Sequence, residues 1–149
     1  MNDKINDISI KEISLIKNLW EKNRAYHEET SAYFSQAYQG LCFEDRMKKF
    51  DDYSEDTYKI SLCKIDEAIV GYCISTISDG IGEVDSIHVE SSLRGNGIGY
   101  KLVERHLKWM KETKCKSIGV TVSQENETTI GFYKKLGFYP NTLYMQQVT

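Results

Sequence analysis

Hydrophobic and polar positions in the first third of the chain follow a strand-like period and then a helix-like one. A short, partly alternating run over residues 5–10 predicts a first strand. From Glu12 to Tyr26, apolar residues recur every three or four positions, which predicts an amphipathic helix. Residues 30–50 form a second, less regular helical stretch that breaks near Gly40. The pattern therefore predicts one strand followed by two helical segments.

The middle of the chain is rich in β-branched and aromatic residues. The runs TYKISLCKI and AIVGYCISTI meet at Asp66 and Glu67, which predicts a β-hairpin. Gly80 and Gly82 then mark a turn, and EVDSIHV, residues 83–89, predicts another strand.

Two strand–helix units complete the pattern. After a glycine loop at residues 95–99, one apolar helical face predicts a helix; its members are Ile98, Leu102, Val103, Leu107 and Met110. KSIGVTV predicts a strand, ENETTIGFYKKL predicts a helix that ends at Gly137, and TLYMQQV predicts a last strand. The order β-α-α-β-β-β-α-β-α-β predicts a mixed α/β sheet with helices on its faces.

The composition is typical of a soluble globular protein. A chain of 149 residues has the length of one ordinary domain, so we expect residues 1–149 to form a single one. The N-terminus is polar and no apolar run approaches the roughly 18 residues that span a bilayer, so we expect a cytoplasmic protein without a membrane partner. The net charge of −3 argues against nucleic acid as a partner.

The cysteines and histidines form no metal-binding pattern. The four cysteines lie at wide spacings without a C-x-x-C pair, and the three histidines are scattered. We therefore expect reduced thiols and no metal, with Cys63 and Cys73 as small core residues of their β-rich runs.

Charges of opposite sign are concentrated in two parts of the chain. Residues 94–116 carry a basic block: Arg94, Lys101, Arg105, Lys108, Lys111, Lys114 and Lys116. Residues 27–57 carry an acidic block: Glu28, Glu29, Glu44, Asp45, Asp51, Asp52, Glu55 and Asp56. Any one of these charges is explained by a solvated helix face, but opposed blocks near a glycine loop also suit an anionic and a cationic ligand.

The stretch SSLRGNGIGYK places Gly95, Gly97 and Gly99 between a predicted strand and a predicted helix. Unpaired backbone N–H groups and the positive end of a helix meet at such a point, and glycine lets a phosphate approach the backbone closely. Arg94 adds a planar cation. The G-x-G-x-G spacing matches neither the dinucleotide fingerprint nor a P-loop. We predict a bound phosphate or pyrophosphate; the alternative is a plain turn into the helix.

Two stretches of the chain carry recognisable motifs. The first, IHVESSLRGNGIGYKLVERHLKWMKE, contains the pattern Gln/Arg-x-x-Gly-x-Gly/Ala, which Arg94, Gly97 and Gly99 meet. The second, NETTIGFYKKLGF, has Asn126, Phe132, Tyr133, Gly137 and Phe138 in place. The first resembles the acetyl-CoA signature, and the second resembles another motif, of the GNAT superfamily of acetyl-CoA-dependent N-acetyltransferases. The resemblance covers roughly residues 58–148. It implies a mostly antiparallel central sheet with helices on both faces.

The resemblance implies acetyl-CoA as co-substrate and a set of groups that hold it. Main-chain groups of the strand before the loop would contact the pantetheine arm and polarise the thioester carbonyl, at Ile87, His88 and Val89. N–H groups of the loop would hold the pyrophosphate, at Gly95, Asn96, Gly97, Ile98 and Gly99. Asn126 would hydrogen-bond the pantetheine. A helix N-cap is the other role that suits Asn126, and the two are compatible.

The resemblance also implies the catalytic groups. Tyr133 would be the general acid for the departing thiolate, whereas packing beside Phe132 is the alternative. An amine of pKa about 10 must lose a proton before it attacks, and Glu83 or Asp85 would accept it, directly or through a water, with Glu83 favoured for its reach. The alternative for either carboxylate is to bind the substrate ammonium only. These two carboxylates lie two residues apart and so share a sheet face, while the side chain of His88 has the opposite parity and no expected role in the chemistry. No cysteine falls within either motif, so direct attack in a ternary complex is expected.

The function predicted is transfer of acetyl from acetyl-CoA to an amine. The acidic block predicts a small cationic acceptor, drawn towards Glu28, Glu29, Asp51 and Asp52, with Tyr26, His27, Tyr33 and Phe34 as candidates for an apolar wall. A protein N-terminus or lysine as acceptor remains an alternative, and so does a non-catalytic acyl-CoA sensor. The resemblance leaves a homodimer open.

Overall fold

Five strands form one sheet in the computed structural model, which describes residues 2–149. They are β1 (Asp3–Ile8), β2 (Tyr58–Ile65), β3 (Ala68–Ser78), β4 (Ile81–Val89) and β5 (Ser117–Val120), and they lie in the sheet in this order. The first four strands pair antiparallel, and β5 pairs parallel to β4. The predicted mixed, mostly antiparallel α/β sheet is confirmed.

Tight turns join the three central strands. Asp66 and Glu67 have φ values of 50° and 69°, and Asp79 and Gly80 have 52° and 78°. Two consecutive residues with positive φ give a hairpin turn whose twist matches that of the flanking strands. The predicted hairpin at Asp66 and Glu67 is therefore confirmed, and a second one connects β3 to β4.

The helices agree with the sequence pattern in place but not always in type. The segment predicted from Glu12 begins as a 3-10 helix, Ile10–Ile16, and continues as α1 (Lys17–Thr30). The irregular stretch that follows splits into α2 (Ser35–Gln39), α3 (Phe43–Met47) and a 3-10 helix, Lys48–Asp52. Further on come α4 (Ile98–Glu112) and α5 (Glu127–Lys135). None of the helices within residues 2–149 is long and apolar enough to cross a membrane.

Helices pack on both faces of the sheet, as predicted. On one face, α1, α3 and the following 3-10 helix bury a cluster that includes Ile16, Trp20, Phe43, Phe50, Ile60, Leu62, Tyr72 and Ile74. On the other face, α4 and α5 bury Cys63, Cys73, Val84, Val89, Leu102, Val103, Met110 and Tyr133. The predicted apolar face of α4 is buried throughout, and Cys63 and Cys73 are fully buried core thiols.

The predicted last strand is wrong. Residues 138–149 belong to no helix or strand, and the side chains of the run TLYMQQV are exposed. No neighbouring strand within residues 2–149 satisfies its backbone, because β5 pairs only with β4. The run KSIGVTV is likewise paired only over Ser117–Val120, so its last residues leave the sheet.

Candidate functional site

A groove of about 510 Å³ opens where β4 and β5 separate. The two strands pair only between residues 81–84 and 117–120, after which β4 continues to Val89 paired with β3 alone. Residues 120–123 form the opposite wall, and α1, the glycine loop and α5 close the remaining sides. A stretch of β4 that is unpaired on its groove side, beside a loop and two helices, is thus the centre of the site.

Backbone groups of β4 point into this groove. Glu90 donates its N–H to the carbonyl of Val70 over 2.8 Å, so the neighbouring Val89, opposite Gly71, directs its own N–H and C=O away from β3. By the same alternation, Ile87 directs its groups towards the groove and His88 directs its groups towards β3. The Val89 carbonyl accepts a hydrogen bond of 3.2 Å from Nε of Arg94. Two of the three predicted main-chain sites therefore face the space that β5 leaves open.

A β-bulge in β4 reverses the alternation of its side chains. Ser86 lies opposite Ile74 and Val84 lies opposite Ser75, so Asp85 is the extra residue. Before the bulge Val84 packs into the α4 core, and after it Val89 does so. His88 therefore faces the α1 side, as Asp85 does, and its Nδ1 lies 3.4 Å from Oδ1 of Asn23. The expectation that His88 has the opposite orientation is wrong, because one inserted residue restores it to the same face.

The glycine loop leaves a row of donors free. Gly95 and Gly97 have φ values of 88° and 79°, and no atom lies within 4 Å of the place where a Cβ of either would be. The N–H groups of residues 95–99 donate to no acceptor within residues 2–149. Arg94 lies beside them, with its guanidinium carbon 5.6 Å from the ring centre of Tyr26. Free N–H groups, a helix start at Ile98 and a guanidinium together fit an anion such as a pyrophosphate.

Tyr133 lies on α5 with its hydroxyl free. Its ring is 4% exposed and contacts Phe132 and Phe138 edge-on, at centroid distances of 5.0 and 5.4 Å. The residue lines the groove, and its hydroxyl has no hydrogen-bond partner among the residues described, 2–149. Burial raises the pKa of this phenol above its ordinary value, so it keeps its proton at neutral pH.

Asn126 serves as the N-cap of α5 and also lines the groove. Its Oδ1 accepts the N–H of Thr129 over 3.1 Å, which satisfies one of the donors at the helix start. This bond uses the carbonyl oxygen only. The amide nitrogen of the side chain keeps both of its donors.

The two candidate bases lie in different places. Asp85 lines the groove with a side chain that is 10% exposed, and it forms an ion pair with Lys49, whose Nζ is 2.5 Å from Oδ1. Glu83 is exposed and lies outside the groove lining. Within residues 2–149, Asp85 is the only carboxylate that lines the groove.

One buried imidazole, His88, and one partly buried imidazole, His27, line the groove, and neither was predicted to take part in the chemistry. Burial, with the nearby Arg94 as a lesser cause, lowers the pKa of His88 to about 4. Burial also lowers the pKa of His27, whose buried Nδ1 has no partner within residues 2–149. Both rings are therefore neutral at pH 7. No sequence signal would have placed the side chain of His88 there, because a bulge is not visible in the strand pattern.

Only some of the residues predicted to surround the acceptor amine line the groove. Tyr26 and His27 line the groove, whereas Phe34 does not, and Tyr33 is 71% exposed and also lies outside it. None of Glu28, Glu29, Asp51 and Asp52 lines the groove. Glu28 is instead paired with Arg24 at 2.7 Å. These four residues of the acidic block therefore do not form the wall of the groove.

Comparison with known proteins shows sequence and fold similarity. The model of the Acetyltransferase (GNAT) family matches residues 22–138. A mycothiol acetyltransferase of Saccharopolyspora erythraea is 27% identical over 103 residues, which cover 67% of this chain and 34% of that protein. A peptidyl-lysine N-acetyltransferase of Salmonella typhimurium is 36% identical over 55 residues, which cover 37% of this chain and 34% of that protein. The chain thus matches about a third of the length of either curated relative.

The fold is shared along the whole chain with a solved structure. Glucosamine-6-phosphate N-acetyltransferase from Arabidopsis thaliana superimposes with a TM-score of 0.67 at 18% identity, covering 99% of this chain and 98% of that one. The family model spans well over half of the chain, and both family motifs, from β4 to α4 and along α5, line one groove. The chain belongs to the GNAT family of acetyltransferases.

Proposed function

We propose that this protein is an acetyl-CoA-dependent N-acetyltransferase that acetylates a small cationic amine. The observation that carries the proposal is that one groove joins the free N–H groups of the glycine loop to the hydroxyl of Tyr133 and the carboxylate of Asp85. An anion site, a proton donor and a carboxylate are what transfer from an anionic thioester to an amine requires. We include in this proposal a single domain over residues 1–149 and a cytoplasmic location.

Different groups of the groove would bind successive parts of acetyl-CoA, from the pyrophosphate to the thioester. The N–H groups of residues 95–99 and the guanidinium of Arg94 would bind the pyrophosphate. The main-chain groups of Ile87 and Val89 would hydrogen-bond the pantetheine arm and polarise the thioester carbonyl. Asn126 would donate from its free amide nitrogen while it continues to cap α5. Acetyl-CoA, when bound, supplies the acetyl group as an activated thioester.

The proton transfers fall to two side chains. Asp85 would receive the ammonium of the acceptor and take its proton, because it is the carboxylate that lines the groove; Glu83, outside the lining, would act only through solvent. Tyr133 would give its proton to the leaving thiolate, and its raised pKa keeps that proton available. No cysteine of the described chain lines the groove, which supports direct attack by the amine without an acyl-enzyme.

The acceptor class rests on Asp85, the carboxylate that lines the groove, and on the acidic block of residues 27–57, which lies outside the lining. A carboxylate that already binds a lysine ammonium would bind other alkylammonium groups by the same contacts. A peptidyl lysine is the second candidate, because the Salmonella typhimurium relative is named for that activity. The two acceptors differ in size: a small amine needs no binding surface outside the groove, whereas a peptide does.

A thiol-release assay with acetyl-CoA tests the proposal. The amine panel holds a polyamine, a basic amino acid, an aminoglycoside, a lysine-containing peptide, a neutral amine and an acidic amino acid. We expect the highest kcat/KM with a small cationic amine, and a decrease as ionic strength rises because exposed charges are screened over about 8–10 Å. A preference for the peptide would favour protein acetylation. Acetyl-CoA binding without any turnover would favour the sensor, and either result would contradict the proposal.

A further inference from the structure

The side chain of Lys49 brings an ammonium to the carboxylate of the groove. Its Nζ lies 2.5 Å from Oδ1 of Asp85 and 5.3 Å from the ring centre of Phe50. Lys49 itself lies outside the groove lining, on the 3-10 helix Lys48–Asp52, whereas Asp85 lines the groove. The chain therefore places one of its own primary amines at the residue that the proposed function assigns to deprotonation of the acceptor.

A short distance separates this contact from the space assigned to the thioester. Ile87, whose main-chain groups face the groove, is two residues from Asp85 along β4, which is at most roughly 7 Å at the rise of a strand. A lysine carries its ammonium on a flexible four-carbon stem. The side chain of Lys49 is 38% exposed, so packing does not fix it in one rotamer. Rotation about the bonds of this stem can therefore carry Nζ from Asp85 towards the groove.

We propose that the protein acetylates its own Lys49, an inference that rests on the proposed function. The amine nitrogen of Lys49 forms an amide bond with the acetyl carbon while the bond from that carbon to sulfur breaks, and the products are acetyl-lysine and CoA thiol. Of the three protons on the ammonium, one stays on the amide nitrogen and one leaves through Asp85 to solvent. The third replaces the proton that Tyr133 gives to the thiolate, so no further reactant is needed.

Acetylation of Lys49 would activate the enzyme towards an external amine. The modification removes the charge of the lysine and with it the ion pair to Asp85. The carboxylate is then free to bind a cationic acceptor. A cationic amine that occupies Asp85 first should in turn slow the modification of Lys49, because the two ammonium groups compete for one carboxylate.

Incubation of the full chain with acetyl-CoA alone, followed by mass spectrometry of its peptides, tests the inference. Lys48 is the matched control, because its side chain is 72% exposed against 38% for Lys49. Chemical acetylation by acetyl-CoA in solution should therefore modify Lys48 at least as fast. We expect Lys49 to be acetylated roughly 100-fold faster than Lys48, the range for a reaction with a positioned base.

Two variants separate enzymatic acetylation of Lys49 from other routes. Tyr133→Phe should lower the rate at Lys49 by roughly 100-fold and leave the rate at Lys48 unchanged. A ¹⁵N-labelled Tyr133→Phe chain mixed with unlabelled wild type should stay unmodified at Lys49, because each copy acetylates itself. Incubation with acetyl-CoA should lower the KM of the wild type for a cationic amine by roughly fivefold. Lys49→Arg keeps the cation but accepts no acetyl group under these conditions, so its KM should not change on incubation.

The same experiments can overturn the inference. Equal rates at Lys49 and Lys48, or an unchanged rate at Lys49 in Tyr133→Phe, would mean chemical acetylation. Modification of the labelled chain by the wild type would mean that one copy acetylates another. A wild-type chain that releases thiol with the amine panel but leaves Lys49 unmodified would overturn this inference and leave the proposed function intact. A chain that does neither would overturn both.

Discussion

The ammonium of Lys49 lies 2.5 Å from Oδ1 of Asp85, the carboxylate of the groove. Lys49 belongs to the 3-10 helix Lys48–Asp52 that follows α3, and its side chain is 38% exposed, whereas that of Asp85 is 10% exposed. Lys49 does not line the groove, but its ammonium contacts the carboxylate to which the proposed mechanism assigns the acceptor. A cationic amine that binds at Asp85 would therefore compete with Lys49 for this carboxylate.

We expect Lys49→Met to lower the KM for a cationic amine by roughly fivefold, because the amine no longer competes with an internal ammonium. This change corresponds to about 1 kcal/mol, the upper range for a partly exposed ion pair. The kcat should stay within about twofold of wild type. Steady-state kinetics with the best amine of the panel measure both quantities.

Lys48→Met is the matched control for this variant. Lys48 is the neighbouring lysine, pairs with Asp45 at 3.3 Å on the surface, and does not line the groove. Its replacement should leave the KM unchanged. A KM that rises in Lys49→Met would mean that Lys49 helps to bind the acceptor, which would contradict the competition argued here.

The hydroxyl of Tyr133 is the group on which proton donation depends. Tyr133→Phe keeps the edge contacts with Phe132 and Phe138 and removes only the hydroxyl. We expect kcat to fall by roughly 100-fold with the Kd for acetyl-CoA nearly preserved, as is usual for loss of a general acid. Single-turnover rates and calorimetry separate the two effects. Tyr139→Phe, on an exposed residue, is the control, and wild-type turnover in Tyr133→Phe would leave Tyr133 with a packing role only.

Arg94 is expected to contribute to binding of the co-substrate and not to the chemical step. Arg94→Ala should raise the Kd for acetyl-CoA by roughly ten- to a hundredfold, the range for a hydrogen bond to a charged group. The kcat at saturating acetyl-CoA should change little. Calorimetry at two salt concentrations measures the loss of affinity for acetyl-CoA and the part of it that depends on ionic strength.

Arg105→Ala is the control for Arg94→Ala. Arg105 lies on α4 in the same basic block, but its Nε donates to Asp7 over 2.9 Å and it does not line the groove. Its removal is expected to leave the Kd unchanged. Equal losses in the two variants would indicate a general effect of positive charge and would remove Arg94 from the anion site.

The sequence predicts the parts of the fold that local patterns determine. The apolar face of α4, the turn at Asp66 and Glu67 and the glycine loop each result from neighbouring residues, and each is present as predicted. The last strand was predicted from composition alone, but a strand also needs a partner edge that a local pattern does not reveal. The orientation of His88 was missed for a related reason. It depends on the bulge at Asp85, which arises from pairing with β3.

A second buried histidine, His106, lies in a polar network between α4 and the sheet. Ser61 donates to Asp7 over 2.6 Å, so its oxygen is left to accept from Nε2 of His106 at 2.9 Å. Nδ1 of His106 must then be the acceptor for the hydroxyl of Ser75, at 2.6 Å. All the hydrogen bonds of this network can therefore form only while His106 is neutral. A proton on Nδ1 would break the bond from Ser75 and place a charge in the core.

Burial lowers the pKa of His106 to about 3, below the value of about 6.5 expected for the unfolded chain. Between these two values the unfolded chain binds the proton and the folded chain does not, so stability decreases as the pH falls through this range. Because of His106 alone, the free energy of unfolding should decrease by about 2 kcal/mol from pH 7 to pH 5. Asp7, whose pKa is lowered to about 2, titrates below this window. Urea unfolding at the two pH values measures the change. His106→Gln should reduce the pH dependence by about this amount, whereas His88→Gln should retain the contribution of His106. An unchanged pH dependence in His106→Gln would show that His106 is not the titrating group.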